Sequence, residues 1–94
     1  YQNFKTVRVG DRKDEIMKKL AGENGDIFAR FLTLKNGEES EYCRVSHAGR
    51  GSPDEIYCPV VVEIWFENEK LSDAKLYVLD EFVYGRQRVY ELEK

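Results

Sequence analysis

Cys43-Arg-Val-Ser-His-Ala-Gly-Arg-Gly-Ser-Pro-Asp-Glu-Ile-Tyr-Cys58 is a segment bracketed by two cysteines, and after Pro59 it runs into Val60-Val-Val-Glu-Ile-Trp-Phe66. The second run is rich in β-branched and aromatic residues and too short to span a membrane, so it predicts a strand. The first contains the turn-forming residues Gly49, Gly51, Ser52 and Pro53. Together they predict a hairpin that carries one cysteine on each arm.

The cysteines suggest a register for this hairpin. If Cys43 faces Cys58, then Glu41 faces Val60, and strand alternation places the cysteines on an apolar face. Two cysteines in one chain permit only one pairing, and a Cys43–Cys58 disulfide would stabilise the fold by about 3 kcal/mol on the chain-entropy view. The alternative is two reduced cysteines that pack as small hydrophobic residues. The predicted apolar face consists of Ile56, Cys58, Val60, Val62, Ile64 and Phe66.

Three aromatic residues fall on the opposite face of the predicted hairpin: Tyr42, Tyr57 and Trp65. Large aromatic side chains on a partly exposed face often anchor protein partners. We therefore take this face as the candidate protein-binding surface. The alternative is that a helix covers it, because a sheet buries at least one face.

Length and composition restrict the class of protein. The chain has 94 residues, of which 41% are hydrophobic and 35% charged, and this predicts a single globular domain over residues 1–94. The net charge of −3 argues against a partner such as duplex nucleic acid, which needs a basic face. The sequence contains no stretch of 18 apolar residues, so no transmembrane segment is predicted. The sequence starts at Tyr1 rather than at a methionine, which is expected if a signal segment has been removed or if the sequence has been trimmed.

A helix is predicted over Arg12–Ala21. Asp11 is a suitable N-cap residue, Ile16 and Leu20 lie on one side, and Gly22 is placed to end the helix in the left-handed region. The preceding residues, 1–9, are expected to be an extended lead-in.

Four further segments complete the prediction. Residues 27–34 fit either a helix or a strand, and the Asn36-Gly37 dipeptide favours the strand because it is a strong hairpin signal. Residues 38–46 and 71–79 are predicted strands. A two-residue turn after the 60–66 strand would place Asp73 opposite Ile64, and either a longer turn or a bulge would align the apolar faces of the two strands, so this register stays open. Residues 80–94 remain undecided, with Val89–Leu92 open to either strand or short helix.

No catalytic, metal or cofactor motif is recognisable. His47 is the one histidine, and in the predicted register it lies about 13 Å along the strand from the cysteine pair, which is too far for a Cys–His nucleophile. One histidine and two separated cysteines do not make a zinc set. Arg50 lies between Gly49 and Gly51, and together with Arg44 and His47 it makes a candidate anion-binding loop. The alternative is an ordinary glycine turn.

The segment Val7-Arg-Val-Gly-Asp-Arg-Lys-Asp-Glu-Ile-Met-Lys-Lys-Leu-Ala-Gly22 resembles the opening of the outer-membrane assembly lipoprotein family (BamE, also called SmpA/OmlA). More broadly it is similar to domains built like the β-lactamase inhibitor protein (BLIP-like). Those domains begin with a hydrophobic-x-hydrophobic-Gly pattern and a capped helix that stops at Leu-Gly; here one alanine is inserted before the glycine. The stretches 54–61 and 66–71 also resemble small bacterial proteins of the same build.

The resemblance implies an α+β fold in which an N-terminal helix packs on an antiparallel sheet of about four strands. It implies a bacterial protein that is periplasmic, anchored as a lipoprotein by a lipid upstream of Tyr1, or secreted. The expected function is a non-catalytic protein-interaction domain with no cofactor. Two alternatives stay open: an inhibitor of a secreted enzyme, and a small-ligand sensor or enzyme that uses the Arg44–His47–Arg50 loop.

Overall fold

The chain is mostly an antiparallel sheet with two short helices, as seen in a computed structural model that describes residues 2–22, 25–47, 60–80 and 86–92. Neighbouring strands in the sheet follow chain order, β1-β2-β3-β4-β5, so β3 is central. The elements are α1 (Gln2–Lys5), α2 (Lys13–Leu20), β1 (Gly25–Lys35), β2 (Glu38–His47), β3 (Val60–Glu67), β4 (Lys70–Asp80) and β5 (Arg86–Glu91).

The predicted α+β class, with an N-terminal helix on about four strands, is therefore wrong. The helices have 4 and 8 residues, whereas three of the five strands have 10 or 11. The difference arises at both ends of the chain. Residues 86–91 pair with β4 as a fifth strand, and the N-terminal segment, expected to be extended, begins with the short helix α1.

Two tight turns connect β1 to β2 and β3 to β4. Asn36 and Gly37 have φ values of 55° and 77° and connect β1 to β2, as the dipeptide predicted. Asn68 and Glu69 have φ values of 49° and 64° and make the same kind of two-residue turn between β3 and β4. Positive φ at both central residues matches the twist of the flanking strands. Of the two alternatives left open between β3 and β4, a longer turn or a bulge, the structure has a bulge, between Trp65 and Phe66.

The predicted register of β2 against β3 is wrong by six residues. Cys43 lies opposite Ile64, and His47, rather than Glu41, lies opposite Val60. Because six is an even number, the described side chains of β2 and β3 keep the faces to which they were assigned. The connection from 48 to 59 lies outside the described residues.

The predicted helix is present as α2, but its start differs from the prediction. Arg12 occupies the N-cap position without a side-chain hydrogen bond, while Asp11 accepts one from the backbone N–H of Arg8 through Oδ2. The segment before α2 also pairs with the start of β4, through Gly10 N–H to Leu71 O and Leu71 N–H to Asp11 O, both 2.8 Å. The end agrees with the prediction, because Gly22 has φ 59°.

The core lies between the helical segment and one face of the sheet, which we call the covered face. Phe4, Val7, Ile16 and Leu20 from the N-terminal segment are buried there. Among the described residues, Glu41 is the one charged residue that is buried. Its carboxylate pairs with Lys13 and Arg30. The sheet contributes Cys43, Val45, Val62, Ile64, Phe66, Leu71, Ala74 and Leu76.

Candidate functional site

The other side of the sheet, which we call the open face, is covered by neither described helix. Side chains alternate along each strand, so the residues between the core positions of β2, β3 and β4 all lie on it. Tyr42, Glu63, Trp65, Lys75 and Tyr77 are only partly buried there. This is the side on which the sequence placed the candidate protein-binding residues.

Three aromatic rings form a row across three strands of the open face. Phe31, Tyr42 and Trp65 are successive partners on β1, β2 and β3. The ring centroids of Phe31 and Tyr42 are 6.1 Å apart and nearly stacked, and those of Tyr42 and Trp65 are 5.4 Å apart and tilted. Phe31, at the edge of the sheet, is 65% exposed. We call these three residues the aromatic row.

A row of alternating charges runs beside the aromatic row. Arg44, Glu63, Lys75 and Glu91 are successive partners on β2 to β5. Opposite charges on directly opposed strand positions attract one another. The Lys75 Nζ atom lies 3.9 Å from an oxygen of Glu91 and 6.0 Å from the centroid of the Trp65 ring. The charged row therefore borders the aromatic row and supports Trp65.

Glu63 connects the two rows through its carboxylate. The Tyr42 hydroxyl donates a hydrogen bond to Glu63 Oε2. Burial and then this hydrogen bond raise the pKa of Tyr42 to about 12. Burial opposes ionisation of Glu63, but hydrogen bonds from Tyr42 and Tyr77 together with nearby Arg44 lower its pKa below the ordinary value. At neutral pH the glutamate is charged and both tyrosines are protonated, which holds Tyr42 in place in the aromatic row.

A groove of about 360 Å³ lies along the aromatic row on the side away from the charged row. Ser40 and Glu67, which are directly opposed on β2 and β3, form part of its wall, and Asp73 lies opposite Trp65. The groove thus has aromatic, hydroxyl and carboxylate groups on its surface. Its lining comprises Phe31, Thr33, Ser40, Glu41, Tyr42, Trp65, Phe66, Glu67, Ser72 and Asp73.

The structure brings together two of the three predicted binding residues. Tyr42 and Trp65 are neighbours on one face, and Tyr57 lies outside the described residues. Phe31 was not among the predicted binding residues, although it is the third member of the aromatic row. The Asn36-Gly37 turn contained the necessary signal, because a two-residue turn at that position places Phe31 directly opposite Tyr42.

Two of the three residues of the candidate anion-binding loop are described, and they lie on opposite faces. Arg44 lies on the open face, whereas His47 lies on the covered face, where its Nε2 is 2.6 Å from the Leu20 carbonyl oxygen. His47 therefore contacts the end of α2. Arg50, the third predicted member, lies outside the described residues.

Cys43 is buried on the covered face, only 1% exposed, and forms no disulfide within the described residues. Burial raises its pKa. Cys58 lies outside the described residues, so the Cys43–Cys58 bridge stays a prediction, and the hairpin register on which it rested is wrong.

The described part of the chain contains neither a cluster of metal ligands nor a membrane-spanning helix. Among residues 2–22, 25–47, 60–80 and 86–92, no three His, Cys, Asp or Glu side chains are grouped as metal ligands. In the same ranges, no helix has the length and apolar character needed to cross a membrane.

No protein-family model matches the chain, and neither does any curated protein or solved structure.

Proposed function

We propose that this protein is a non-catalytic interaction domain that binds a protein partner through the aromatic row. The observation that carries the proposal is the direct succession of Phe31, Tyr42 and Trp65 on a face that neither described helix covers. Aromatic residues are enriched in the centres of protein interfaces because they bury large areas and lose little side-chain entropy. The charged row would form the polar rim of such an interface.

The rigidity of the aromatic row supports a binding role. Tyr42 is held by Glu63, and Lys75 lies against Trp65, so these rings are ordered before a partner arrives. A preorganised surface loses less conformational entropy on binding than a mobile one. The same surface would serve an inhibitor of a secreted enzyme, which is a protein-binding domain with a particular target.

The location that we propose is the bacterial envelope or the medium, as a periplasmic, lipid-anchored or secreted protein. Its support is the resemblance of Val7–Gly22 to the outer-membrane assembly lipoproteins. Separation of envelope, cytoplasmic and secreted fractions from cells that express the native gene would test it. Recovery in the cytoplasmic fraction would contradict it.

A pair of matched substitutions on β1 tests the binding surface. Phe31 is 65% exposed in the aromatic row, and Leu34 is 72% exposed on the other side of the same strand. Partner capture from envelope extract should be lost with Phe31→Ser and kept with Leu34→Ser. Truncation of a central aromatic residue typically costs about 2 kcal/mol of binding free energy. Capture that is unchanged by Phe31→Ser would overturn the proposal.

A further inference from the structure

We propose that the groove beside the aromatic row binds an extended, basic segment of the partner, with its lysine or arginine side chains against Glu67 and Asp73. This inference rests on the proposed function and specifies the chemistry of the partner. It follows from the shape of the groove, the nature of its walls and the sign of its charges.

The dimensions of the groove fit an extended chain. The aromatic row and Asp73 occupy successive positions on four neighbouring strands, from Phe31 on β1 to Asp73 on β4. Strands in a sheet are about 4.8 Å apart, so this line is about 14 Å long. An extended peptide rises about 3.3 Å a residue, so about four of its residues span the row.

The walls of the groove suit side chains that combine an apolar stem with a cationic end. The rings of Phe31, Tyr42 and Trp65 offer flat apolar surface, and the faces of aromatic rings attract cations. Trp65 already has such a neighbour on the side of the charged row, where the Lys75 Nζ atom lies 6.0 Å from its ring centroid. Lysine and arginine stems pack along apolar surface while their charged ends remain hydrated or paired.

The charges of the groove are all of one sign. Its described lining contains Glu41, Glu67 and Asp73 but no lysine or arginine. Lys13 and Arg30 neutralise Glu41. Within the described residues no ion pair involves Glu67 or Asp73, although Asp73 Oδ1 accepts a hydrogen bond from the backbone N–H of Ala74. Two carboxylates are therefore available to a cationic partner and would repel an acidic one.

The balance of charge disfavours the other occupants of an aromatic groove. Nucleic acid would bring phosphates against Glu67 and Asp73, which is repulsive. A neutral oligosaccharide could stack on the rings and donate hydroxyl hydrogen bonds to the carboxylates, but it has no positive charge to pair with them. A basic peptide uses both features, because charge-assisted hydrogen bonds from arginine to carboxylates are among the strongest that proteins make.

The intrinsic fluorescence of Trp65 provides a direct assay, because it is the one tryptophan in the chain. The probe is a blocked hexapeptide of alternating serine and arginine, and the control peptide carries citrulline, which has arginine's shape without its charge. The arginine peptide should change Trp65 emission saturably and bind about tenfold or more tightly than the citrulline peptide. Its affinity should fall as salt is raised.

Matched variants localise the effect to the groove. The double variant Glu67→Gln/Asp73→Asn removes two charges, keeps the shape of both side chains and retains the oxygen that Ala74 N–H contacts. It should lower the affinity for the arginine peptide about tenfold or more. The double variant Asp14→Asn/Glu15→Gln removes the same charge from the exposed surface of α2 and should leave binding unchanged.

Several results would overturn the inference. Equal binding of the arginine and citrulline peptides would show that charge is not recognised, and an unaffected Glu67→Gln/Asp73→Asn variant would exclude the groove. A saturable response to maltotetraose with none to the arginine peptide would make this a carbohydrate site. If Phe31→Ser abolishes partner capture while no basic peptide binds, the proposed function stands and the basic occupant is wrong. If both experiments fail, both proposals are wrong.

Discussion

Lys13 at the start of α2 donates a hydrogen bond to Glu41 of β2, across 28 residues of sequence. Arg30 of β1 donates to the other carboxylate oxygen, and the Glu41 side chain is only 2% exposed. Burial opposes ionisation of Glu41, but the two cations outweigh it, and the pKa of the carboxyl lies below its ordinary value of 4.5. One buried carboxylate thus connects the helix to two strands, and removal of its charge has measurable consequences.

Acid should weaken the fold through Glu41. The pKa of Glu41 is lower in the folded state than the value of 4.5 in the unfolded chain. The stability that the ionised carboxylate contributes is therefore complete above pH 4.5 and is lost as the pH falls through the pKa of the folded state. Glu41→Gln should lower the free energy of unfolding at pH 7 by about 1.5–3 kcal/mol, because hydrogen bonds to a charged group become neutral ones. Urea unfolding between pH 7 and pH 3 measures both effects.

The control for this prediction is Glu15→Gln, which removes an exposed charge from the same helix. Glu63, whose pKa is also lowered, contributes acid sensitivity to every variant. The quantity to compare is therefore the difference in the free energy of unfolding between wild type and variant at each pH. The difference between wild type and Glu41→Gln should shrink towards acid pH. A difference that is constant from pH 7 to pH 3 would contradict the assignment.

A charge introduced at the centre of β3 should unfold the protein when it lies on the covered face and be tolerated when it lies on the open face. Val62 and Ile64 are 2% and 0% exposed, so Val62→Asp or Ile64→Asp buries a carboxylate without a partner. Val61→Asp, on the open face, should leave a cooperative thermal transition. Circular dichroism during heating distinguishes these outcomes. Cooperative folding of Val62→Asp and Ile64→Asp would show that the covered face is not the core.

The two similar turns predict a stabilising substitution. Glu69 has φ 64°, in the left-handed region that residues with a Cβ enter at a cost of about 1–2 kcal/mol. Glycine removes that cost but loses about 0.5–1 kcal/mol of backbone entropy. Glu69→Gly should therefore raise the free energy of unfolding by about 0.5–1 kcal/mol in denaturant titration. Gly37→Glu, in the matching turn at φ 77°, should lower it by a similar amount, and a gain there would refute the argument.

The Cys43 thiol should react slowly while the protein is folded. It is 1% exposed, and its pKa is raised by burial, so little of the reactive thiolate is present at neutral pH. In a Cys58→Ser background, where Cys43 is the remaining thiol, iodoacetamide should modify it quickly in urea and slowly in buffer. Mass spectrometry of timed samples provides the two rates. Equal rates would show that Cys43 is accessible in the folded protein.

The sequence was most informative where a structural choice is local. The Asn36-Gly37 turn pairs residues that are close in the chain, and it correctly favoured β1 as a strand. Alternation determines which residues of one strand share a face, and because the register error of six is even, Tyr42 and Trp65 were still placed on the same face. Gly22 ended α2 as expected because few other residues adopt its positive φ.

Long-range relationships were decided by the tertiary structure. The register of β2 on β3 depends on packing of the covered face, because the twelve residues between His47 and Val60 are too many for a two-residue turn to set it. The fifth strand exists because β4 offers an edge to residues 86–91. The Lys13–Glu41–Arg30 cluster requires α2 and two strands to meet, so neither sequence spacing nor periodicity could predict it. Local turns and alternation are properties of the chain itself, whereas register and buried ion pairs depend on which surfaces pack together.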